Sequence, residues 1–496
     1  MTYSSLVLPT RRRLSALLMA FSVTLMLAAT AGAQVTLTKL STDTFTNTSS
    51  QHATEVEPDT YSFGSTIVTA FQVGRISGGG SSDIGFATST DNGTTWTNGF
   101  LPGITVNFQG GSFSAASDPS VAFDSKHGVW MVTSLGLSAS NVILVSRSTD
   151  AINWNNPVTV NQSNSFADKT WMTCDNGSSS PFFGHCYVEW DDAGLGDQIK
   201  MATSSDGGLT WTSVTTSNFG LGGQPVVQLN GTVVVPYEGS GIQSFTSTNG
   251  GTTWGRSVTV SSISEHGVAG GLRTSPLPSA EVDGAGTVYV VWQDCRFRTS
   301  CKSNDIVMSS STDGVTWAAV TRIPIDDTTS TADHFIPGIG IDKNTSGSTA
   351  HLGLTYFFYP QTSCSTSTCK LAVGFISSQD GGKTWGAAIR VAGPMRLSWL
   401  PSTTLGQMVG DYISTSYVNG KGFGVFAKAN KNAGSVLDEA MYTPVSGLML
   451  AASEAGPQYS SANDRPVPNA HSDHPPSKYL DHEGRLLKPG ADPDND

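Results

Sequence analysis

The sequence predicts an all-β fold, a β-propeller of four-stranded antiparallel blades, and three observations predict it. A short turn pattern recurs six times. Each copy is preceded by the same succession of short, strongly apolar runs separated by Gly, Asn and Asp. The composition, with 54 glycines, 11 tryptophans and 21 phenylalanines in 496 residues and only 13% charged residues, supplies many turns and a large aromatic core. Repeats of this length are supersecondary units that bury their faces only by stacking on their neighbours.

At the N-terminus, Arg11–Arg13 form a basic stretch, 14–28 an apolar run, and Ala31-Gly32-Ala33 a small-x-small cleavage pattern. Residues 1–33 thus read as an export signal, with Gln34 the first residue of a secreted or periplasmic protein. The apolar run is shorter than the roughly 20 residues of a membrane-spanning helix. Beyond the leader, 24 basic residues face 39 acidic ones, the wrong sign for a nucleic-acid partner.

The domain proper is expected over 34–450. The six turns are STDNGTTW (89–96), STDAINW (148–154), SSDGGLTW (204–211), STNGGTTW (247–254), STDGVTW (311–317) and SQDGGKTW (378–385). Asp or Asn in such a turn bonds nearby backbone N–H groups, glycine takes a positive φ, and the tryptophan packs between neighbouring sheets. Six equivalent units cannot all line one site, so the repeat is structural. Upstream runs such as AEVDGAGTVYVVWQD supply two strands, and the strands flanking each turn make four, one blade.

Residues 408–444 offer three further strand-like runs without the turn. The stretch 35–47 can provide the fourth, closing the ring and removing an exposed edge, so seven blades are favoured over six. The six cysteines fall in close pairs, Cys174/Cys186, Cys295/Cys301 and Cys364/Cys369, each expected to clip one loop in an oxidising compartment. No CxxC or HExxH occurs, so neither a metal nor another cofactor is expected. Residues 451–496 turn to Pro, Asp, Ser and His and read as a solvated tail.

The SxDxGxTW copies resemble the Asp-box, or BNR, repeats of sialidases and related propellers. The resemblance implies a glycan substrate, three arginines clamping a carboxylate, a tyrosine nucleophile activated by a glutamate, and an aspartate as acid/base. Carried onto this chain, it places Arg75 and Asp83 before the first turn, and Arg273, Arg296 and Arg298 around the fifth. The late segment GDYIS makes Tyr412 the nucleophile. The sequence departs from the pattern in three places. Its one Arg-Ile-Pro, Arg322-Ile323-Pro324, follows the fifth turn; HATEVEPD, with Glu55 and Glu57, stands where the first arginine belongs; and the GDYISTSYVNGKGFGVFA segment of Tyr412 is not followed by a glutamate where the pattern would place one.

Independently of the family, the loops expected at one mouth of a propeller channel carry many carboxylates interspersed with cations. They include Asp118, Asp168, Lys169, Asp191, Glu238, Asp294, Asp333, His334 and Asp411. Paired carboxylates suit general acid/base chemistry on a glycosidic bond, with Glu238, Asp294 or Asp411 as further candidates. Two readings follow: a monomeric secreted glycoside hydrolase resembling exo-sialidases, or a non-catalytic propeller that binds a glycan or a protein.

Overall fold

The computed structural model describes residues 1–2, 35–162 and 165–450; the expected export signal and the C-terminal tail fall outside the described residues. The described chain is built of antiparallel strands with five short 3-10 turns. Four separate four-stranded sheets span 167–219, 226–261, 279–322 and 333–396, each with its strands in sequence order. An eight-stranded sheet holds two further groups of four, over 51–100 and 115–161, joined through the single pair Ser81–Ala116. A five-stranded sheet takes Ser414–Val418, Lys421–Ala429 and Glu439–Pro444, with Leu37–Lys39 on its outer edge, Leu37 opposite Pro444, and Leu448–Met449 also paired to Lys421–Ala429; Ser402–Thr403 and Gly406–Gln407 form a separate two-stranded ribbon. These groups are called here the first to seventh sheets in chain order from residue 51.

The first strand of each sheet packs against the first strand of the next, and Ser414–Val418 of the seventh packs back on Gln51–Phe63 of the first. Side chains stitch these innermost strands together. The Thr60 N–H donates to Ser414 Oγ (2.6 Å), Val121 N–H to Asp59 Oδ2 (2.7 Å), and Met172 N–H to Ser120 Oγ (2.7 Å). Ala280 N–H donates to Gln224 Oε1 (3.0 Å), Ile339 N–H to Ser279 Oγ (3.2 Å), and Thr415 Oγ1 to the Gly338 carbonyl (2.9 Å). An innermost strand has one edge without a backbone partner, and each of these bonds satisfies a group on such an edge. Between the sixth and seventh sheets the backbones come so close that a Cβ on Gly338 would strike the Ile413 carbonyl.

All six sequence repeats lie on the turn between third and fourth strands. In the first, Ser89 Oγ donates to Asp91 Oδ1 (2.8 Å) and accepts from Gly93 N–H (2.8 Å), while Asp91 Oδ1 accepts from Thr94 and Thr95 N–H (3.1 and 2.8 Å). The Trp96 indole N–H closes the loop on the Gly93 carbonyl (3.2 Å). Gly93 has φ 81°, and a Cβ there would strike Phe423 of the seventh sheet, so the turn needs glycine on both counts. The tryptophans then bridge to the preceding sheet: Trp254 stands edge-on to Tyr187 at 6.3 Å, and Trp317 donates to Ser244 Oγ at 3.0 Å.

Three disulfides join Cys174 to Cys186, Cys295 to Cys301 and Cys364 to Cys369, nearest neighbours in every case. No helix among the described residues is long and apolar enough to cross a membrane.

Candidate functional site

The innermost strands are interrupted at equivalent heights. Register shifts occur between Val56 and Asp59, Ser117 and Ser120, Asp168 and Trp171, and Phe335 and Pro337. Within them Glu57, Asp118, Lys169 and Ile336 have φ between 47° and 55°. Such a conformation in a residue other than glycine costs on the order of 1–3 kcal/mol, and bulges of this kind re-aim side chains beside functional sites. Here three of the four re-aimed side chains are charged, and they meet.

Lys169 Nζ bonds Asp411 Oδ2 and lies 3.7 Å from Glu57 Oε1. Arg273 reaches the same Asp411 with two N–H donors, Nε to Oδ1 at 2.8 Å and Nη2 to Oδ2 at 2.5 Å. The Asp411 N–H points to Glu57 Oε1 (3.3 Å), and the Lys169 N–H is shared between Asp118 Oδ2 (2.9 Å) and Asp168 Oδ1 (3.0 Å). Gln72 bonds Glu57 Oε2 and donates to Ser117 Oγ at 3.0 Å. Every charged member of this constellation is buried, with Lys169 and Arg273 the most open at 7% and 8%.

Burial sets the protonation pattern and the neighbours divide it. Desolvation drives the Glu57 carboxyl up to about 8, against the pull of Lys169. Asp168 is raised well above its ordinary value by the same burial. Asp118 and Asp411 are buried too, yet Lys169 holds the first low, and Arg273 with Lys169 holds the second far below the carboxylate range. Burial thus favours the protonated form of Glu57 and Asp168, while the neighbouring cations favour the ionised form of Asp118 and Asp411. Arg75 faces the same groups: burial, then repulsion from Arg273, lowers its guanidinium to about 10. Arg75 donates only to uncharged acceptors, the Ile76 and Gly80 carbonyls and Met408 Sδ (3.2 Å). Arg273 Nη1 is buried without a hydrogen-bond acceptor. Two guanidinium groups with donor capacity not committed to a carboxylate, Arg75 and Arg273 Nη1, suit the site to an anion.

Of the residues singled out by sequence, Arg75, Arg273 and Tyr412 come together here with Asp118, Asp168, Lys169 and Asp411 of the expected channel mouth. Tyr412 donates to the Pro119 carbonyl at 3.2 Å and stands edge-on to Trp171 at 5.0 Å. Burial, reinforced by Glu57 and Asp118, pushes its phenol far up and keeps it neutral. Glu57 is nonetheless among the carboxyls that act on Tyr412, so the chain sets a glutamate near this tyrosine from the opposite end of the sequence.

Asp83, Arg296, Arg298 and Glu238 lie elsewhere. Asp83 is sealed in the first sheet, accepting from Ile84 N–H (2.8 Å) and Thr105 Oγ1 (2.9 Å), and burial raises it to about 7. Arg296 is closed on Asp294 at 2.7 Å. Arg298 is held by Asp305 (2.5 Å) and Asp326 (2.6 Å), where Arg322 of the Arg-Ile-Pro sequence joins it at 2.9 Å from each. Glu238 is buried at the end of the second strand of the fourth sheet, its backbone paired with Leu221. The constellation draws its charges instead from the first, second and third sheets, the Arg273 segment and the loop entering the seventh.

Asp305, Asp326 and His334 are the one set of three ligand-type side chains within metal-binding reach among the described residues. Arg298 and Arg322 already neutralise both carboxylates, so a cation does not fit there. Sequence reading also passed over Glu57 as a working residue. The signal available was a repeat, Glu57-Pro58, Asp118-Pro119 and Ile336-Pro337, in which proline follows the bulged residue.

No family model matches the chain. No curated protein matches it. Among solved structures, similarity extends to a protein of unknown function from Dyadobacter fermentans (17% identity, 69% of this chain and 99% of that one, TM-score 0.42). It extends also to the NanB sialidase of Streptococcus pneumoniae (13%, 82% and 70%, TM-score 0.39). A third is a polysaccharide lyase of family PL25, an ulvan lyase (11%, 87% and 100%, TM-score 0.48).

Proposed function

We propose that the protein is a carbohydrate-active enzyme, a glycoside hydrolase acting on a carboxylate-bearing glycan, built as a closed seven-bladed propeller that works outside the cytoplasm. The cyclic packing of seven innermost strands supports the architecture, and the three disulfides suit an oxidising compartment. The observation that carries the function is the grouping of Arg75 and Arg273 with two buried carboxyls of opposite tendency, Glu57, raised by burial to about 8, and Asp411, held low by the Arg273 fork.

Two carboxyl groups pushed apart in pKa by their surroundings are the usual basis of glycosidic acid/base chemistry. In this reading Arg75 and the unbonded Nη1 of Arg273 receive the substrate carboxylate. Glu57 gives its proton to the leaving glycosidic oxygen. The negative charge of Asp411 opposes the positive charge that develops on the sugar ring. Water adds at the anomeric carbon and passes its proton to Asp118. Tyr412 serves as a neutral wall rather than a nucleophile.

A screen of the purified protein on acidic and neutral glycans tests this. Cleavage confined to acidic substrates is expected, with Arg75→Ala raising KM for them about ten- to a hundredfold, as befits a lost charged hydrogen bond of about 1.5–3 kcal/mol. Cleavage of neutral glycans alone would overturn it. Two observations favour a second reading, a non-catalytic glycan-binding propeller: the Tyr412 hydroxyl is occupied by Pro119, and no member of the site is more than 8% exposed. Binding of acidic glycans without any turnover would select that reading.

A further inference from the structure

Beneath the constellation the innermost strands enclose a cavity of about 680 Å³ that touches all seven sheets. Its inner end is buried, at Asp59, Val121, Met172 and Ser279, and Trp171, edge-on to Tyr412, lies on its wall. Its outer end is framed by exposed turn residues, among them Phe63, Gly64, Asn92, Leu229 and Asn419. Asn92 belongs to the first sequence repeat, so the cavity opens on the face that carries that turn. Its size falls within the usual range for small-molecule sites, roughly 300–1,000 Å³.

The chemistry of this cavity differs from that of the constellation. Four carboxylates line it, Asp59, Glu281, Asp283 and Asp342, against one cation, Lys343. Asp283 and Asp342 are committed to their own turns, accepting from Thr287 N–H (2.9 Å) and Asn344 N–H (3.0 Å). Glu281 faces the lumen and acts electrostatically on Asp59. Lys343 places its ammonium 4.7 Å from the centre of the Tyr61 ring, 3.4 Å from the Tyr61 hydroxyl and 3.6 Å from Glu281 Oε2. Its side chain is 46% exposed, and burial is outweighed by Glu281 and Tyr61 together, which keep its ammonium charged, so this lysine marks a position, open to solvent, that combines an aromatic face with a carboxylate and suits a cation. Deeper in, Thr60, Thr173, Ser279, Ser414 and Ser416 line the wall with hydroxyl groups beside the Trp171 ring.

We infer that the central cavity binds an amino sugar, its ammonium group taking the place of the Lys343 ammonium between Tyr61 and Glu281 and its hydroxyls meeting the hydroxyl-lined wall. The site is separate from the constellation and does not depend on the reading given for it. It is a site of recognition, with no bond made or broken.

Calorimetric titration of the full protein with a glucosamine dimer and with its N-acetylated counterpart tests the inference. The free amine is expected to bind at least tenfold more tightly, because acetylation removes the charge. Glu281→Gln should weaken the amine at least tenfold, and Lys343→Met should tighten it severalfold by clearing the position. Should Glu281→Gln not fold, Tyr61→Leu carries the same expectation. Equal affinity for the two dimers, binding that Glu281→Gln or Tyr61→Leu leaves unchanged, or no binding even by Lys343→Met would each overturn it. These are binding readouts, so the outcome is independent of any turnover on acidic glycans.

Discussion

Arg273 closes two N–H donors on the carboxylate of Asp411, 138 residues away in sequence, at 2.8 and 2.5 Å. Both side chains are buried, and Lys169 completes the grip on the same carboxylate. One anion therefore compensates two buried cations.

Removing that anion should be costly. Asp411→Asn leaves Lys169 and Arg273 without their main counter-charge, and breaking a buried ion pair from one side typically costs about 3–5 kcal/mol. Chemical denaturation should show the midpoint falling accordingly, with the slope unchanged. A loss below about 1 kcal/mol would mean that water already screens the pair.

Glu57 should set the alkaline limit of activity. A proton donor whose carboxyl is raised to about 8 is competent below that pH and lost above it. The kcat/KM profile on an acidic glycan is expected to fall as pH rises through about 8. Glu57→Gln should lower kcat on the order of a hundredfold or more. An unchanged alkaline limb in a variant that still turns over would assign the donor to another group.

Stability should peak on the acid side of neutrality. Burial raises Glu55, Asp59 and Asp83 to about 7 and Glu57 to about 8, so the folded protein retains protons that the unfolded chain has already released. Their contribution is complete below the ordinary carboxylate range and is lost as pH rises through 7 to 8. Asp91, Asp206 and Asp313 run the other way. Held at about 2 by turn hydrogen bonds, or for Asp206 by such bonds against slight burial, they stabilise above their ordinary value and cease to as pH falls through 2. A Tm series from pH 3 to 9 should therefore reach its maximum near pH 4–5. A Tm higher at pH 8 than at pH 5 would show that these carboxyls are not desolvated in solution.

The repeated turns need an acceptor more than a charge. In the fourth copy Asn249 stands where the others have Asp, and its Oδ1 still accepts from Thr253 N–H at 3.0 Å. Asp206→Asn is accordingly expected to change Tm little, whereas Asp206→Ala, which abandons the N–H groups of Leu209 and Thr210, should cost about 1 kcal/mol. Equal losses from the two substitutions would point to charge instead.

What could be read from sequence was what is settled locally. A turn such as Ser89 to Trp96 makes its defining bonds within four residues, and each disulfide spans at most 12, so residue type and spacing suffice. The constellation is settled at long range. Lys169 meets Asp411 across 242 residues, and the Asp411 N–H meets Glu57 across 354. Its side chains are aimed by positive φ at Glu57, Asp118 and Lys169, a conformation that neither glutamate nor lysine favours. The family pattern weighted Arg296 and Arg298 because they are arginines in the right stretch. Asp294, Asp305 and Asp326 claim both of them, and no spacing rule announces which carboxylate will be nearest.

The stitched innermost strands have a kinetic corollary. Because the amide hydrogens of Thr60, Val121, Met172, Ala280 and Ile339 are held by side chains of a neighbouring sheet, fraying within one sheet does not release them. They can exchange with solvent deuterium only when two sheets part. These five positions are thus natural clocks for the opening of the assembly, and the order in which they exchange would tell where it first comes apart.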